Sequence, residues 1–459
     1  MAVAAAVADG AIARSSLARE ALIVVAVTAI GASLVYHFFV RTIHNGRPLA
    51  GRNVAVALGE GTQSEPAFAV DPARPRIIFG ALGASGELVG NPGSFGVFGS
   101  TDGGATWRKS PSPAIPGKGC FFAAPRTAID KSGREFLAFM AGPCAETLTP
   151  HLVIASRASS TAPWGPVTRI VPRVGRWGFD DGPALALDEH TGRVYLTWVR
   201  ALDRSRIALV VSASNDHGRT WTAPVEVSRS LVDPHLPSIA VGANGDVYLA
   251  GIDGSRGLWV TRSTDGAKSF AAPHSVARLF NDPARDQCAL SNDGPLPFEL
   301  TSCIGPNPTL LVRGKRVYVI YDDIGPNRTQ DVFSVGLDSK LKIMFRAQVN
   351  PPDTGKTEQF FPAAAIDAQS GVVSACWYDT TFDPNKHRSW FTCSTSPNGL
   401  DWGLPLRAAA EPTMTVDLYG TLPISASLVA ADGQTRAFWP DGRNYRRGMN
   451  VYTAPLPEG

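Results

Sequence analysis

The chain has 459 residues, 44% hydrophobic and 18% charged, with a formal net charge of +3. Such a composition fits one large globular body, long enough to bury a substantial core. No run of five or more Lys or Arg occurs, so nothing marks a nucleic-acid surface.

In chain order, residues 1–20 read as a short cytoplasmic tail. Ala21–Val40 is a twenty-residue, mostly apolar stretch without acidic or basic side chains except His37. That length suffices for a transmembrane helix. A cleaved signal peptide with a small-residue site near Ala32 is the rival reading. The apolar run continues eight residues past that point, which favours an uncleaved anchor. Arg14 and Arg19 precede the stretch and Arg41, Arg47 and Arg52 follow it, so the flanks leave orientation open. Residues 41–52 read as a linker to a domain spanning 53–459.

That domain is a repeat. A proline, a strand, a small turn and a second strand ending in an aromatic recur at Pro66–Asp71, Pro183–Asp188, Pro237–Gly242, Pro308–Arg313, Pro362–Asp367 and Pro423–Leu428. A further copy at Arg126–Asp130 is read without its proline. The period is about sixty residues, which signals a radial or stacked array. Each unit carries four short runs rich in Val, Leu, Ile and Tyr between Gly, Asp, Asn and Pro turns. In the third unit they are Ala184–Leu187, Val194–Val199, Ile207–Ser212 and Val225–Ser228. Four-stranded units repeated radially make an all-β propeller. The count gives seven blades, or six should one unit be something else. The last unit reaches only a third strand, at Met449–Ala454, and Asn53–Leu58 is the expected donor of its fourth.

Between their third and fourth strands, two units carry a complete S-x-D-x-G-x-T-W, at Ser100–Trp107 and Ser214–Trp221. Ser263–Phe270 keeps the serine and aspartate but has Ala267 for the glycine. A worn copy is read from Thr395 to Trp402, with Pro397 where the aspartate would stand. The acidic side chain accepts hydrogen bonds from its own turn, so the motif builds a hairpin and carries no chemistry. The six cysteines form three local pairs on the propeller frame: Cys120 with Cys144, Cys288 with Cys303, and Cys376 with Cys393. Such pairs belong outside the reducing cytosol and place the propeller on the extracytoplasmic side of a cell membrane. No Cys/His spacing suggests zinc and no dense acidic loop suggests calcium; no metal or cofactor is expected.

Over residues 53–459 the chain resembles the bacterial sialidase-like propellers with Asp-box (BNR) repeats. The resemblance implies a site on the face opposite the boxes, formed by loops leading into each first strand and loops joining second to third strands. Sialidases hold a substrate carboxylate with arginines and use a tyrosine nucleophile with a glutamate and an acid/base aspartate. By position, Arg126, Arg200, Arg388 and Arg443 supply the cations, and Tyr419 is the nucleophile candidate with Glu358 as its base. Asp181 or Asp233 is the acid candidate, and His235 is either turn chemistry or a contact to an acidic sugar. The family's Arg-Ile-Pro has no match in Arg74-Pro75-Arg76-Ile77-Ile78-Phe79, and seven blades exceed the family's usual six. Asp180–Asp181, Asp322–Asp323, Asp379 and Asp441 are read as strand-end caps at one repeated blade position. The implied partner is a glycan with acidic sugars, recognised or hydrolysed. The alternative is a non-catalytic protein-binding or assembly-factor propeller.

Overall fold

The computed structural model describes residues 49–459 except 59–61, 86–95, 115–118, 144–150, 171–179, 204–205, 256, 281–306, 326–328, 353–356, 384, 415–424, 444–447 and 458–459. The proposed tail and anchor, Cys144, Cys288, Cys303, Pro423 and Tyr419 therefore lie outside the described residues. Among the described residues no helix is long and apolar enough to cross a membrane.

The described strands form seven antiparallel sheets. Their inner strands are Thr62–Asp71, Gly119–Ile129, Asp180–Leu187, His235–Val241, Thr309–Arg313, Gln359–Ile366 and Ser427–Ala431. Each packs on the next and the seventh packs on the first, so the sheets close a ring: a seven-bladed propeller. In the third blade the order from channel to rim is Asp180–Leu187, Val194–Ala201, Ile207–Ser214, Val225–Glu226, close to the four runs expected. Second strands such as Val194–Ala201 are buried along nearly their whole length. That is why they read as continuous apolar runs: each sits in mid-blade, covered on both faces by neighbouring blades.

The ring closes as the sequence suggests. Val54–Ala55 forms the outer strand of the seventh blade, pairing with Thr453 and Tyr452 on Asn450–Pro455. The Asn53 side chain fastens it, donating to Ala408 O at 2.6 Å and accepting from Ala410 N at 2.7 Å. Behind this seam Phe68 of the first blade stacks on Phe438 of the seventh at 3.8 Å, and Trp107 meets both rings edge-on.

Three sequence assignments need correction. The second blade does carry the repeat's proline, Pro125, immediately before Arg126. In the seventh blade, register puts Ser427 opposite Phe438 where Ala363 faces Cys376 in the sixth. Ala426 thus takes the place of the repeat's proline, and Ala431, not Leu428, takes that of Asp71. The worn box starts at Ser396, whose hydroxyl accepts from Gly399 N at 2.8 Å, and Asn398 replaces the aspartate, accepting from Leu400 N and Asp401 N. One residue is missing from that turn, which is why aligning it on Trp402 shifted the reading.

The full boxes have the geometry expected of them. Asp102 accepts from Thr106 N at 2.9 Å and Thr106 Oγ1 at 2.6 Å, while Ser100 Oγ accepts from Gly104 N. The Thr106 hydroxyl chiefly holds the Asp102 carboxyl down at about 2. Ala267 adopts φ +64 where Gly104 and Gly218 adopt +86 and +84, so the third box keeps the turn without its glycine.

The sixth blade differs from the others. Its outer strand, Leu406–Arg407, covers only Thr392 and Cys393, and Thr413–Met414 returns to pair with Arg388 and Ser389 on the same third strand. Cys376 and Cys393 face each other directly on the second and third strands and form the expected disulfide.

Candidate functional site

A recurrent irregularity shapes the channel mouth. Pairing of first and second strands shifts register between Ser64 and Ala67, Ala123 and Arg126, Asp181 and Ala184, His235 and Ser238, and Phe360 and Ala363. In each bulge the residue before the proline turns left-handed: Glu65, Ala124, Gly182, Leu236 and Phe361 all have φ near +50, and Ser425 takes the same conformation before Ala426. A bulge re-aims the side chains around it, and left-handed backbone costs a non-glycine residue about 1–2 kcal/mol. Strain repeated around a ring in this way accumulates at the mouth on the face away from the boxes.

Directly after the proline position, six blades carry small residues: Ala67, Ala184, Ser238, Thr309, Ala363 and Ser427. The seventh such residue is Arg126. Two of the small ones stitch blades together, Ser238 Oγ accepting from Leu310 N at 2.9 Å and Ser427 Oγ from Phe68 N at 3.1 Å. Six blades contribute to a cavity of about 160 Å³ here, whose walls include Leu236, Asn307, Thr309, Phe361 and Ser425. Among the described residues Arg126 is the single charged one on those walls.

The Arg126 guanidinium donates from Nη1 to Pro125 O at 2.8 Å. Burial lowers its pKa, opposed by the negative charges of Glu65 and Asp181 on the two flanking blades. Glu65 is itself positioned, its Oε2 accepting from Ala124 N at 2.9 Å. Asp181 is exposed and accepts from Gly182 N at 2.7 Å. The mouth thus presents a carboxylate, a guanidinium and a carboxylate on three successive blades. Among the described residues no cluster of three or more His, Cys, Asp or Glu side chains is arranged for a metal ion.

Of the residues proposed from sequence, the structure brings Arg126 and Asp181 together. Asp233 (φ +45) is exposed, and His235 lies half-buried in the fourth inner strand opposite Ile252. Arg200 lies 3.9 Å from Asp180, which accepts from Trp198 Nε1 at 2.8 Å. Arg443 is clamped on the ring seam by Asp441 at 2.6 Å and Asn53 at 3.1 Å, above the Tyr452 ring. Arg388 is exposed on the third strand of the sixth blade. Neither Arg200, Arg388 nor Arg443 lines the cavity. Glu358 is buried; it accepts from Lys386 Nζ at 2.9 Å and from Gln330 N at 2.6 Å. Asp180–Asp181 do not share the position of the other acidic pairs: they open the inner strand, opposite Arg200 and Val199.

One residue that sequence reading took for a cap is something else. Asp323, Asp379, Asp441 and Asp253 share a place at the end of second strands, but Asp322 occupies the preceding position, held elsewhere by Tyr378, Pro440, Ile252 and Val199. It is fully buried beneath the cavity. Oδ1 accepts from Asn307 N at 2.9 Å and Oδ2 from Phe361 N at 3.1 Å, both residues of the cavity wall. Burial pushes its carboxyl up to about 7, against the pull of these bonds.

No family model matches the sequence, and no curated protein matches it. Among solved structures, a protein of unknown function from Dyadobacter fermentans matches at a TM-score of 0.51 and 12% identity, over 90% of this chain and 100% of that one. A Trypanosoma rangeli sialidase matches at 0.48 and 12% identity, over 89% of this chain and 59% of the sialidase. A polysaccharide lyase of family PL25, an ulvan lyase, matches at 0.43 and 14% identity, over 70% of this chain and 81% of the lyase. At such identities the likeness speaks to the fold alone.

Proposed function

We propose that this propeller recognises a glycan bearing an acidic sugar at the channel mouth opposite the Asp-boxes, with Arg126 as the anchor for the sugar's carboxylate. The observation that carries this reading is a guanidinium that stands alone, among the described residues, on a cavity wall built otherwise from small or neutral residues of five further blades. A guanidinium pairs with a carboxylate through two parallel hydrogen bonds, and partial burial strengthens that pairing. Glu65 and Asp181 stand on either side as acceptors for sugar hydroxyls. The Asp-box resemblance agrees with this choice of face.

Hydrolysis is the further part of the proposal: Tyr419 as nucleophile, Glu358 as its base and Asp181 or Asp233 as acid. Anchoring by residues 21–40, with the propeller in an oxidising compartment, belongs to it too. The buried Cys376–Cys393 disulfide supports that compartment.

The test is titration of the purified protein with sialyllactose and a glucuronate-terminated oligosaccharide, with lactose as the neutral control. Acidic ligands bind and lactose does not. Arg126→Ala loses at least tenfold in affinity with its circular dichroism unchanged. Equal affinity for lactose, or an unaffected Arg126→Ala protein, would refute the reading. Turnover of a fluorogenic sialoside that Tyr419→Phe abolishes extends it to catalysis.

A further inference from the structure

A second, larger cleft lies at the ring seam on the box face, between the seventh blade and the first. Its volume is about 300 Å³, and it is lined by Arg76, Asp102, Asp432, Gln434 and Arg436 among others. That volume is at the lower end of the range, about 300–1,000 Å³, of small-molecule sites.

The cleft lies where a repeat of the second strands breaks off. Opposite the third residue after the proline position, second strands carry Phe79, Phe136, Tyr195, Tyr248 and Tyr318 in blades one to five. Such a ring supports the box of the following blade: a Cβ on Gly399 would lie 2.7 Å from the Tyr318 ring. The sixth blade has Ser374, which bonds Thr435 of the box-free seventh blade at 3.1 Å. The seventh blade must support the first box, and there the residue is Arg436. Its guanidinium takes the ring's place, 2.5 Å from where a Cβ on Gly104 would be.

Arg436 is half-buried, and the one hydrogen bond of its side chain among the described residues is to Thr453 Oγ1, at 3.4 Å. No described carboxylate lies within ion-pair distance of it. Burial lowers its pKa to about 10, with Asp102 opposing at longer range. Arg76, exposed at the rim of the cleft, likewise has no ion pair among the described residues. A desolvated, unpaired guanidinium is costly, and here it borders a cleft wide enough for a ligand. Asp102 and Asp432 also line the cleft; carboxylates there accept hydrogen bonds from hydroxyls and repel a purely anionic guest.

From this juxtaposition we infer that the seam cleft binds a small hydroxylated carboxylate of the size of one hexuronate, its carboxylate on Arg436 and its hydroxyls on Asp432 and Asp102. The inference does not rest on the channel site, which is on the opposite face.

The experiment uses the full chain carrying Arg126→Ala, so that the channel is silenced, and follows thermal unfolding with glucuronate, glucose or inorganic phosphate at equal concentration. Glucuronate raises the midpoint, and glucose and phosphate do not. Arg436→Tyr restores the side chain used by three other blades, fills the cleft and abolishes the shift. Arg436→Gln, a shorter side chain that stays polar but loses the charged fork, abolishes it as well and serves if the tyrosine disturbs the seam. No shift with glucuronate, an equal shift with phosphate, or a shift that survives both substitutions would overturn the assignment.

Discussion

Asp322→Asn separates an acid built into the cavity floor from one merely tolerated there. The wild-type carboxyl moves from an ordinary 3.8 to about 7 on folding, chiefly because burial penalises its charged form. Since the folded value is raised, the stabilising contribution is fully present below the unfolded pKa. It is lost as pH rises towards 7. At about 1.4 kcal/mol per unit, the whole window is worth about 4 kcal/mol. The side chain is fully buried, so no solvent screening reduces that figure. Asparagine has the same shape and no titration. It turns one acceptor towards an N–H donor, at a pH-independent cost of about 1–3 kcal/mol. Urea unfolding of both proteins at steps from pH 4.5 to 7.5 reads the difference: the wild type's advantage shrinks steadily with pH and levels off above 7. A gap constant to within about 0.5 kcal/mol across that range would refute the argument, whatever the absolute stabilities.

Three further outcomes follow from the packing. Asn53→Ala removes a side chain that bonds Ala408 O, Ala410 N and Arg443; chemical denaturation should show a loss of about 2 kcal/mol, from polar groups left unpaired. Replacing Cys376 and Cys393 with alanine opens a link spanning 17 residues and should cost about 3 kcal/mol, with dithiothreitol lowering the wild-type midpoint to match. Arg157 and Glu135 form a buried pair at 2.6 Å, with Arg157 over the Trp164 ring. Arg157→Met alone strands the acid and should cost about 3–5 kcal/mol, whereas adding Glu135→Leu should recover most of that loss. Failure of the double variant to recover would show that the pair stabilises more than its own charges.

Much of the architecture was legible because the repeat is written in backbone-determining residues. Proline, the turn aspartates and the box serines recur wherever the chain must bulge or turn, and ring closure followed from a last unit short of one strand. Two of the misreadings share a cause: Ala426 and Asn398 sit where register, not residue identity, defines the copy, whereas Pro125 stands at the repeat's own spacing before Asp130. Register is visible only once strands are paired. Arg126 appeared in the sequence as one arginine among four. It is singular only when the residues after the six prolines and Ala426 are lined up and the other six prove small. Asp322 was hidden by its neighbour, since a doubled aspartate at a strand end reads as a cap until pairing shows one of the two in an apolar slot. Arg436 gave no local signal at all, because a lone arginine in a strand resembles any solvated one.

The seventh blade is assembled from both ends of the chain, and this gives the molecule a mechanical weak point. A load applied from the N-terminal side of Ala50 would reach the ring through Ala50 N to Arg407 O, the Asn53 contacts and the short Val54–Ala55 pairing, with Val56 N to Val451 O behind them. These few bonds would be peeled before any complete blade was stressed. Traction would therefore be felt first at the junction of the seventh and first blades, the same junction that holds Arg436 and its cleft.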